Sequence, residues 1–365
     1  MSDHVEVSID SMNIKSVAIA MSGGVDSSVA AALLVQQGYQ VMGMTLHLWR
    51  EFEEDANHNS TSEAISQAKK VASILNIPFY TVDARKPFYD SVVKYFLQSY
   101  WDGITPNPCL LCNREIKWGY LLKQALEMGA DFLATGHYAC IEQDDSNQFI
   151  LKRGFDADKD QSYVLHGLNQ TQLSHSIFPL GSYTKTDIRK IAHDLNLPVA
   201  EKEESQDLCF VADSDYRAFI LRNTSNEIKP GLIINSQGET IGQHKGLAFY
   251  TIGQRKGLGI SSATPYYVLR KDIINNQLIV GKSNERARND LYAGQVNWIS
   301  GTPPQHLENI KVMVRYRSKA KPCSIQSIEA SRIHIIFDEP INDITPGQAA
   351  VLYQGDVCLG GGIIL

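Results

Sequence analysis

The chain has 365 residues, 43% of them apolar and 20% charged, with a formal net charge of −6. That length exceeds one ordinary domain and predicts two or three, each with its own core, while the balance of residue types excludes a disordered chain. No uncharged run reaches the roughly 20 residues of a membrane span. Residues 1–14 carry Asp3, Glu6 and Asp10 and lack the basic start and apolar centre of a secretory leader. A flexible N-terminal segment and a cytoplasmic protein with no membrane partner are expected.

In chain order, Ser16 to Met21 (SVAIAM) reads as a buried strand, Val29 to Gln37 as a helix ended by Gly38, and Val41 to Leu46 as the next strand. Glu51 to Ser62 reads as a mobile loop. A helix from Ser62 to Asn76 then leads into a strand at Phe79 to Val82, and a helix around Trp118 to Met128 leads into Phe132 to Thr135. Alternation of this kind predicts an α/β domain with a parallel sheet over residues 15–210, binding its ligand at the carboxyl ends of the strands. After residue 210 come short alternating segments punctuated by Gly and Pro: Leu232 to Ile234, Tyr266 to Arg270, Gln277 to Val280, Lys311 to Tyr316, Arg332 to Phe337 and Ala349 to Tyr353. They suggest small antiparallel units or a barrel, with a boundary near 210 and a softer one near 285 that divide the rest of the chain into 211–285 and 286–365.

The negative net charge hides an asymmetry. Residues 1–210 hold 17 Lys and Arg against 27 Asp and Glu, whereas residues 211–365 hold 17 against 13. Lys311, Arg315, Arg317, Lys319 and Lys321 fall in one acid-free stretch around Tyr316. Such a stripe can follow an RNA phosphate backbone, or it can guard a solvated edge strand.

The sharpest local signal is Met21-Ser22-Gly23-Gly24-Val25-Asp26-Ser27-Ser28, between a strand and a helix. Its glycines let the backbone approach an anion, and the following helix presents unpaired amides. No Lys follows the glycines, so the loop is not of the Walker type. Asp26 beside an anion site calls for a Mg²⁺ ion or an orienting hydrogen bond. SGGVDSS resembles the loop of the ATP pyrophosphatase group, which cleaves ATP between its α and β phosphates and adenylates a carbonyl oxygen.

Six cysteines, at 109, 112, 140, 209, 323 and 358, do not make a secreted disulfide framework. In Asn107-Pro108-Cys109-Leu110-Leu111-Cys112-Asn113-Arg114-Glu115-Ile116-Lys117-Trp118, a turn enters a helix. A thiol there, near Arg114 and Lys117, is expected to have a lowered pKa and to be nucleophilic; the alternatives are half of a zinc site or an inert pair. Cys140, Cys323 and Cys358 sit in apolar, strand-like runs and read as packing residues. His166, His175, His193 and His334 show no ligand pattern, and Trp101 and Trp118 read as core. Arg255 and Lys256 lie in a glycine turn and could meet RNA.

With these motifs the chain resembles the tRNA-specific 2-thiouridylase family, through SGGVDSS, NPCLLCNREIKW, ATGHYA (134–139), KDQSYVL (159–165), SQDLCFV (205–211), TIGQRKGLGI (251–260), VRYRS (314–318) and PGQAAVLY (346–353). The resemblance implies an N-terminal domain of the adenine nucleotide alpha hydrolase type, a central domain and a C-terminal β-barrel. It implies ATP binding by Ala20, Met21, Ser22, Gly23, Gly24, Val25, Asp26 and Ser27, with Met44 and Gly136, and with Mg²⁺. Cys112 matches the catalytic nucleophile, and Cys209 the cysteine that carries a persulfide. Asn107, Pro108 and Cys109 match the target-base contacts. His137, Lys159, Asp160, Gln161, Arg315, Tyr316 and Gln348 match positions that touch tRNA.

The implied activity is ATP-dependent 2-thiolation of the wobble uridine, through an adenylate of the C2 oxygen and sulfur from the persulfide, and it ends in a Cys112–Cys209 disulfide. The implied partners are tRNAs that accept lysine, glutamate and glutamine, and a sulfur donor such as a cysteine desulfurase or sulfur-relay protein. One position departs from the family. Where its best-known members carry Asp, this chain has Cys109, so Cys109, Cys112 and Cys209 could instead hold an iron–sulfur cluster with one open iron. Both routes stay open at this point. The rival readings are a small-molecule amidating synthetase of the same ATP class and an RNA-binding protein with a vestigial loop.

Overall fold

A computed structural model describes residues 14–51, 60–203, 208–211, 215–224, 227–329 and 331–365. The N-terminal segment up to residue 13, most of the loop expected from Glu51 to Ser62, and Ser205, Gln206 and Asp207 of SQDLCFV lie outside the described residues. The first strands are β1 (Ser16–Ala20), β2 (Gln40–His47), β3 (Phe79–Asp83) and β4 (Phe132–Thr135), followed by a hairpin of β5 (Ala139–Gln143) and β6 (Phe149–Arg153) and the short β7 (Ser176–Ile177). Five of these make a parallel sheet in the order β3-β2-β1-β4-β7. Val17, Ala18 and Ile19 of β1 are fully buried, as a central parallel strand requires. The strand order reverses between β1 and β4, so their carboxyl ends open the crevice in which such sheets bind ligands.

The first helix begins earlier than expected, at Val25 rather than Val29, and runs to Gln36. Gly24, extended at φ −103 and ψ 168, is its N-cap. Ser27 and Ser28 are not caps but members of the first turn, each donating its hydroxyl to the Gly24 carbonyl, at 3.2 and 2.8 Å. The helix expected at Trp118 also starts earlier. The Asn107 side chain accepts from the Cys109 amide at 3.2 Å and Pro108 fills the first helical position. A turn at Pro108–Leu111 continues as a π-helical stretch, Cys112–Leu121, and then as Leu122–Glu127.

The central domain contains β8 (Gly231–Asn235), β9 (Thr240–His244), β10 (Tyr267–Asp272) and β11 (Gln277–Gly281), in the order β10-β11-β8-β9. It is not wholly antiparallel, because β8 and β11 run parallel. The last strands are β12 (Ala287–Trp298), β13 (Ile310–Met313), β14 (Lys321–Glu329), β15 (Arg332–Asn342), β16 (Ala349–Gln354) and β17 (Val357–Ile364). Pairing of β12 with β17 closes these six into an antiparallel barrel, one of the two alternatives the strand pattern leaves open.

The N-terminal domain and the barrel share a sheet and a core. β6 pairs with β17, so the β5–β6 hairpin extends the barrel wall. One apolar cluster joins Trp118, Leu121, Tyr163 and Leu165 to Met313, Val351, Tyr353 and Cys358. Cys323 and Cys358 are buried, and Trp118 is buried with its indole N–H donating to Ser176 Oγ at 2.6 Å. Among the described residues no helix is long and apolar enough to cross a membrane.

His166 lies buried in this shared region with Nδ1 2.8 Å from the Tyr163 carbonyl, and burial lowers its pKa to about 4. The unfolded chain takes up that proton near pH 6.5, so stability is complete above that value and falls as pH drops toward 4. The loss from His166 is expected to reach about 3 kcal/mol. Denaturant unfolding of the parent and of His166→Gln between pH 7 and pH 4.5 checks this; equal pH slopes in the two proteins would contradict it.

Candidate active site

The glycine loop follows β1 at the crevice. Gly23 adopts φ +70, where a Cβ would lie 2.4 Å from the Ala64 carbonyl oxygen, so this turn requires glycine. The Met21 amide donates to the Met44 carbonyl at 2.8 Å, and the Thr45 hydroxyl donates to the Met21 carbonyl at 2.7 Å. Met44 itself is buried, and with Ala20 it fixes the start of the loop against β2. Across the crevice, a Cβ on Gly136 would stand 2.8 Å from the Ser27 amide nitrogen and 2.9 Å from the Asp26 carbonyl carbon. Gly136 thus lets the end of β4 lie against the helix start, where unpaired amides favour an anion.

Asp26 finds an orienting partner, one of the two alternatives raised for it. Its Oδ1 accepts from the Tyr138 hydroxyl and from Lys185 Nζ, both at 2.7 Å. Lys185, its side chain only 11% exposed, opens the helix Lys185–Asp194, which Thr184 caps. Lys202 Nζ donates to the Gly23 carbonyl at 3.2 Å. Two lysines therefore balance the carboxylate and add positive charge beside the loop. Sequence reasoning missed both, along with Tyr138, because they lie 112 to 179 residues from their partners.

The thiol group lies next to this loop. His137, adjacent to Gly136, is buried, with Nδ1 2.7 Å from Thr135 Oγ1 and Nε2 3.3 Å from Lys117 Nζ. Burial and the Lys117 charge hold His137 well below its ordinary pKa, so the ring is neutral and accepts from the ammonium. In the π-helical stretch Cys112 and Lys117 are five residues apart, the spacing of the π-helix hydrogen bond, and so lie on one face. Lys117 in turn acts electrostatically on Cys109, Cys112 and Cys209, and Cys209 on Cys112. Three thiols separated by up to 100 positions thus share one site.

Neighbouring elements hold each cysteine. The Asn113 side-chain amide, buried, donates to the Val164 carbonyl at 2.9 Å and ties the helix after Cys112 to residues 162–165. Phe210 pins Cys209 by packing edge-on against Phe88, Phe96 and Phe219, with ring centroids 5.3 to 5.6 Å apart.

The expected lowering of the Cys112 pKa is not what the structure shows. Burial pushes the Cys112 thiol up to about 12 and the Cys209 thiol up to about 11, and raises Cys109 as well. Lys117 lowers all three and Arg50 lowers Cys209, but desolvation outweighs them. Cys109 and Cys209 still meet solvent, so the thiols line a cleft that protein surrounds on most sides. None of the six cysteines is paired in a disulfide. Among the described residues no three His, Cys, Asp or Glu side chains are grouped to hold a metal ion. The iron–sulfur expectation for Cys109, Cys112 and Cys209 does not fit this arrangement.

Comparison with known proteins decides the family. Residues 15–213 match the family described as tRNA methyl transferase HUP domain, residues 217–282 its PRC-barrel domain, and residues 288–364 the aminomethyltransferase beta-barrel domain. A tRNA-specific 2-thiouridylase of Thermoanaerobacter sp. is 48% identical over 95% of this chain and 97% of its own length. The chain belongs to the tRNA-specific 2-thiouridylase family. Further members from Acetivibrio thermocellus and Moorella thermoacetica are 43% and 46% identical, covering 97% and 95% of this chain and 100% and 98% of their own lengths.

The positions that the 2-thiouridylase resemblance assigns to tRNA divide into two groups. Arg315 is exposed and Tyr316 half-buried on the β13–β14 loop, with Arg317 and Lys319 exposed beside them. The strand expected to reach Tyr316 stops at Met313, and β13 is flanked by β14 and β16, so the cations do not guard an edge. Tyr316 lies close enough to Cys109 to sense its charge, which brings the barrel loop to the thiol cleft. Lys159, next to Asp160 in sequence, is half-buried.

The other group is bonded into the chain. Asp160 is buried and accepts from the Gly154 and Ser162 amides, the Ser162 hydroxyl and Arg153. Gln161 Oε1 accepts from the Tyr138 amide at 3.0 Å, and Gln348 Nε2 donates to the Thr105 carbonyl at 2.9 Å. With buried His137, these residues shape the site from inside.

Proposed function

We propose that the protein is an ATP-dependent sulfurtransferase that places sulfur on C2 of the wobble uridine of tRNA. The observation that carries this reading is the contact path from nucleotide loop to thiols: Ser27 against Gly136, then His137 against Lys117, which faces Cys112. An adenylating loop and a pair of thiols within one crevice match a reaction that first activates a carbonyl and then replaces its oxygen.

In this reading the glycine loop and Lys185 bind the phosphates of ATP, and Asp26 is the carboxylate able to hold the accompanying Mg²⁺, which supplies charge neutralisation. The C2 oxygen attacks the α phosphate, pyrophosphate leaves, and C2 carries an AMP leaving group. The terminal sulfur of a Cys209 persulfide attacks C2 and AMP departs. Cys112 then attacks Cys209 Sγ, breaking the sulfur–sulfur bond, which leaves 2-thiouridine and a Cys112–Cys209 disulfide for a dithiol to reduce. The target base must leave its stack to reach the cleft, with Asn107, Pro108 and Cys109 at the entrance. The exposed cations of the barrel loop supply phosphate contacts. A cysteine desulfurase or sulfur-relay protein would load Cys209, whose solvent exposure permits it.

The test is pyrophosphate release from ATP in the presence of unmodified tRNA or of amine acceptors. Stimulation by tRNA is expected; stimulation by ammonia or an amine with none by tRNA would favour the amidating synthetase instead.

A further inference from the structure

The segment ahead of the thiols is a junction of three domains. Gly103, at φ +73, packs on the central domain, where a Cβ would fall 2.6 Å from Ile273 Cδ1. The next two residues meet the barrel. The Thr105 amide donates to the Pro346 carbonyl at 3.0 Å, and its carbonyl accepts from Gln348 Nε2 at 2.9 Å. Gly347, at φ +92, lies so close that a Cβ would stand 2.1 Å from Ile104 Cγ2 and 2.9 Å from the Thr105 carbonyl oxygen. Thr105 Oγ1 is buried without a hydrogen-bond partner. Two residues further on, Asn107 caps the turn that carries Cys109 and leads into Cys112.

We propose that Gly347 and Gln348 are positioning residues: through Ile104 and Thr105, the start of β16 sets where Asn107–Cys112 stands in the cleft. A loop fixed only locally would need its own turn hydrogen bonds. Here both main-chain polar groups of Thr105 bond to the barrel, so a shift of the barrel on tRNA moves the thiol segment with it. Gln348 then acts on catalysis through the Thr105 carbonyl, beyond any contact it makes with RNA. The proposal rests on Cys112 being the working thiol, and its test separates the two claims.

Three variants are compared with the parent: Gly347→Ala, Gly347→Ala combined with Ile104→Ala, and Gln348→Ala, which adds no bulk and stands in if Gly347→Ala fails to fold. Two quantities are read. One is the iodoacetamide reaction rate of Cys109 and Cys112, mapped by peptide mass spectrometry; the other is kcat and KM for tRNA thiolation. Gly347→Ala should change the alkylation rates by more than about threefold and lower kcat roughly ten- to a hundredfold, with KM for tRNA within about twofold. Removing the Ile104 branch should relieve only part of both, because the φ +92 backbone and the Thr105 carbonyl oxygen at 2.9 Å still oppose a side chain at 347, and Gln348→Ala should lower kcat rather than raise KM. Unchanged alkylation and kcat in Gly347→Ala, or an effect of Gln348→Ala confined to KM, would each overturn the proposal. If the parent forms no thiouridine the functional reading fails, and the alkylation rates still decide the coupling.

Discussion

Cys112→Ala is expected to end thiouridine release in a single turnover without reductant, slowing it by at least about 10⁴-fold, while tRNA affinity and tRNA-stimulated pyrophosphate release in that turnover persist. Without the second thiol, the chain of steps stops after the persulfide sulfur has bonded to C2. The tRNA is then held to Cys209 through a sulfur–sulfur bond. A gel run without reductant should show this adduct, and added dithiol should release it as 2-thiouridine. The comparison is therefore made in a single turnover without small thiols, since the parent needs a dithiol only to begin its second cycle. The elevated thiol pKa values sharpen the expectation, because a thiol buried to about 12 is a weak nucleophile near neutral pH until bound substrate and Lys117 favour its anion. Turnover within tenfold of the parent would remove Cys112 from this role.

Gly136→Ala is expected to act on the other half-reaction. The added methyl would meet backbone rather than flexible side chains, at 2.8 Å from the Ser27 nitrogen and 2.9 Å from the Asp26 carbonyl carbon. The helix start must move away from the end of β4, carrying the anion-facing amides with it. Displacements of this order cost roughly a hundredfold in well-oriented reactions, and the crowding costs about 1–3 kcal/mol of stability. AMP formation should fall accordingly while iodoacetamide still reaches the thiols at the parent rate. AMP formation within about threefold of the parent would show that the approach of β4 to the loop does not set the adenylation geometry.

Much of the site was legible where its signal is local. Gly23, Gly24 and the serines announce an anion loop, and the segment from Asn107 and Pro108 announces a turn entering a helix, because each depends on a few adjacent residues. The alternation of strand and helix was likewise enough for the parallel sheet. What escaped depends on distant register. Lys185 and Tyr138 reach Asp26 only because the sheet order places β4 and the later helix beside the first loop.

The Cys112 pKa was misjudged for a related reason. Nearby cations can be read from the sequence, but the protein packed around the cleft cannot, and its desolvation dominates. Strand β17 was unread because Val357–Ile364 contains Gly360, Gly361 and Gly362, residues that weaken a strand pattern. The structure explains them. A Cβ on Gly360 would lie 2.0 Å from the Asn297 carbonyl oxygen, and on Gly361 2.3 Å from that of Ala350. The glycines are where the barrel closes.

In the proposed reaction an adenylating loop and the Cys112–Cys209 pair together thiolate tRNA without a metal cluster. The most direct measurement is 2-thiouridine formed by rigorously iron-free protein given ATP, Mg²⁺, unmodified tRNA and a persulfide donor, with AMP counted in parallel. One thiouridine per AMP is the expected result. AMP without thiouridine, restored only by reconstitution with iron and sulfide, would contradict it.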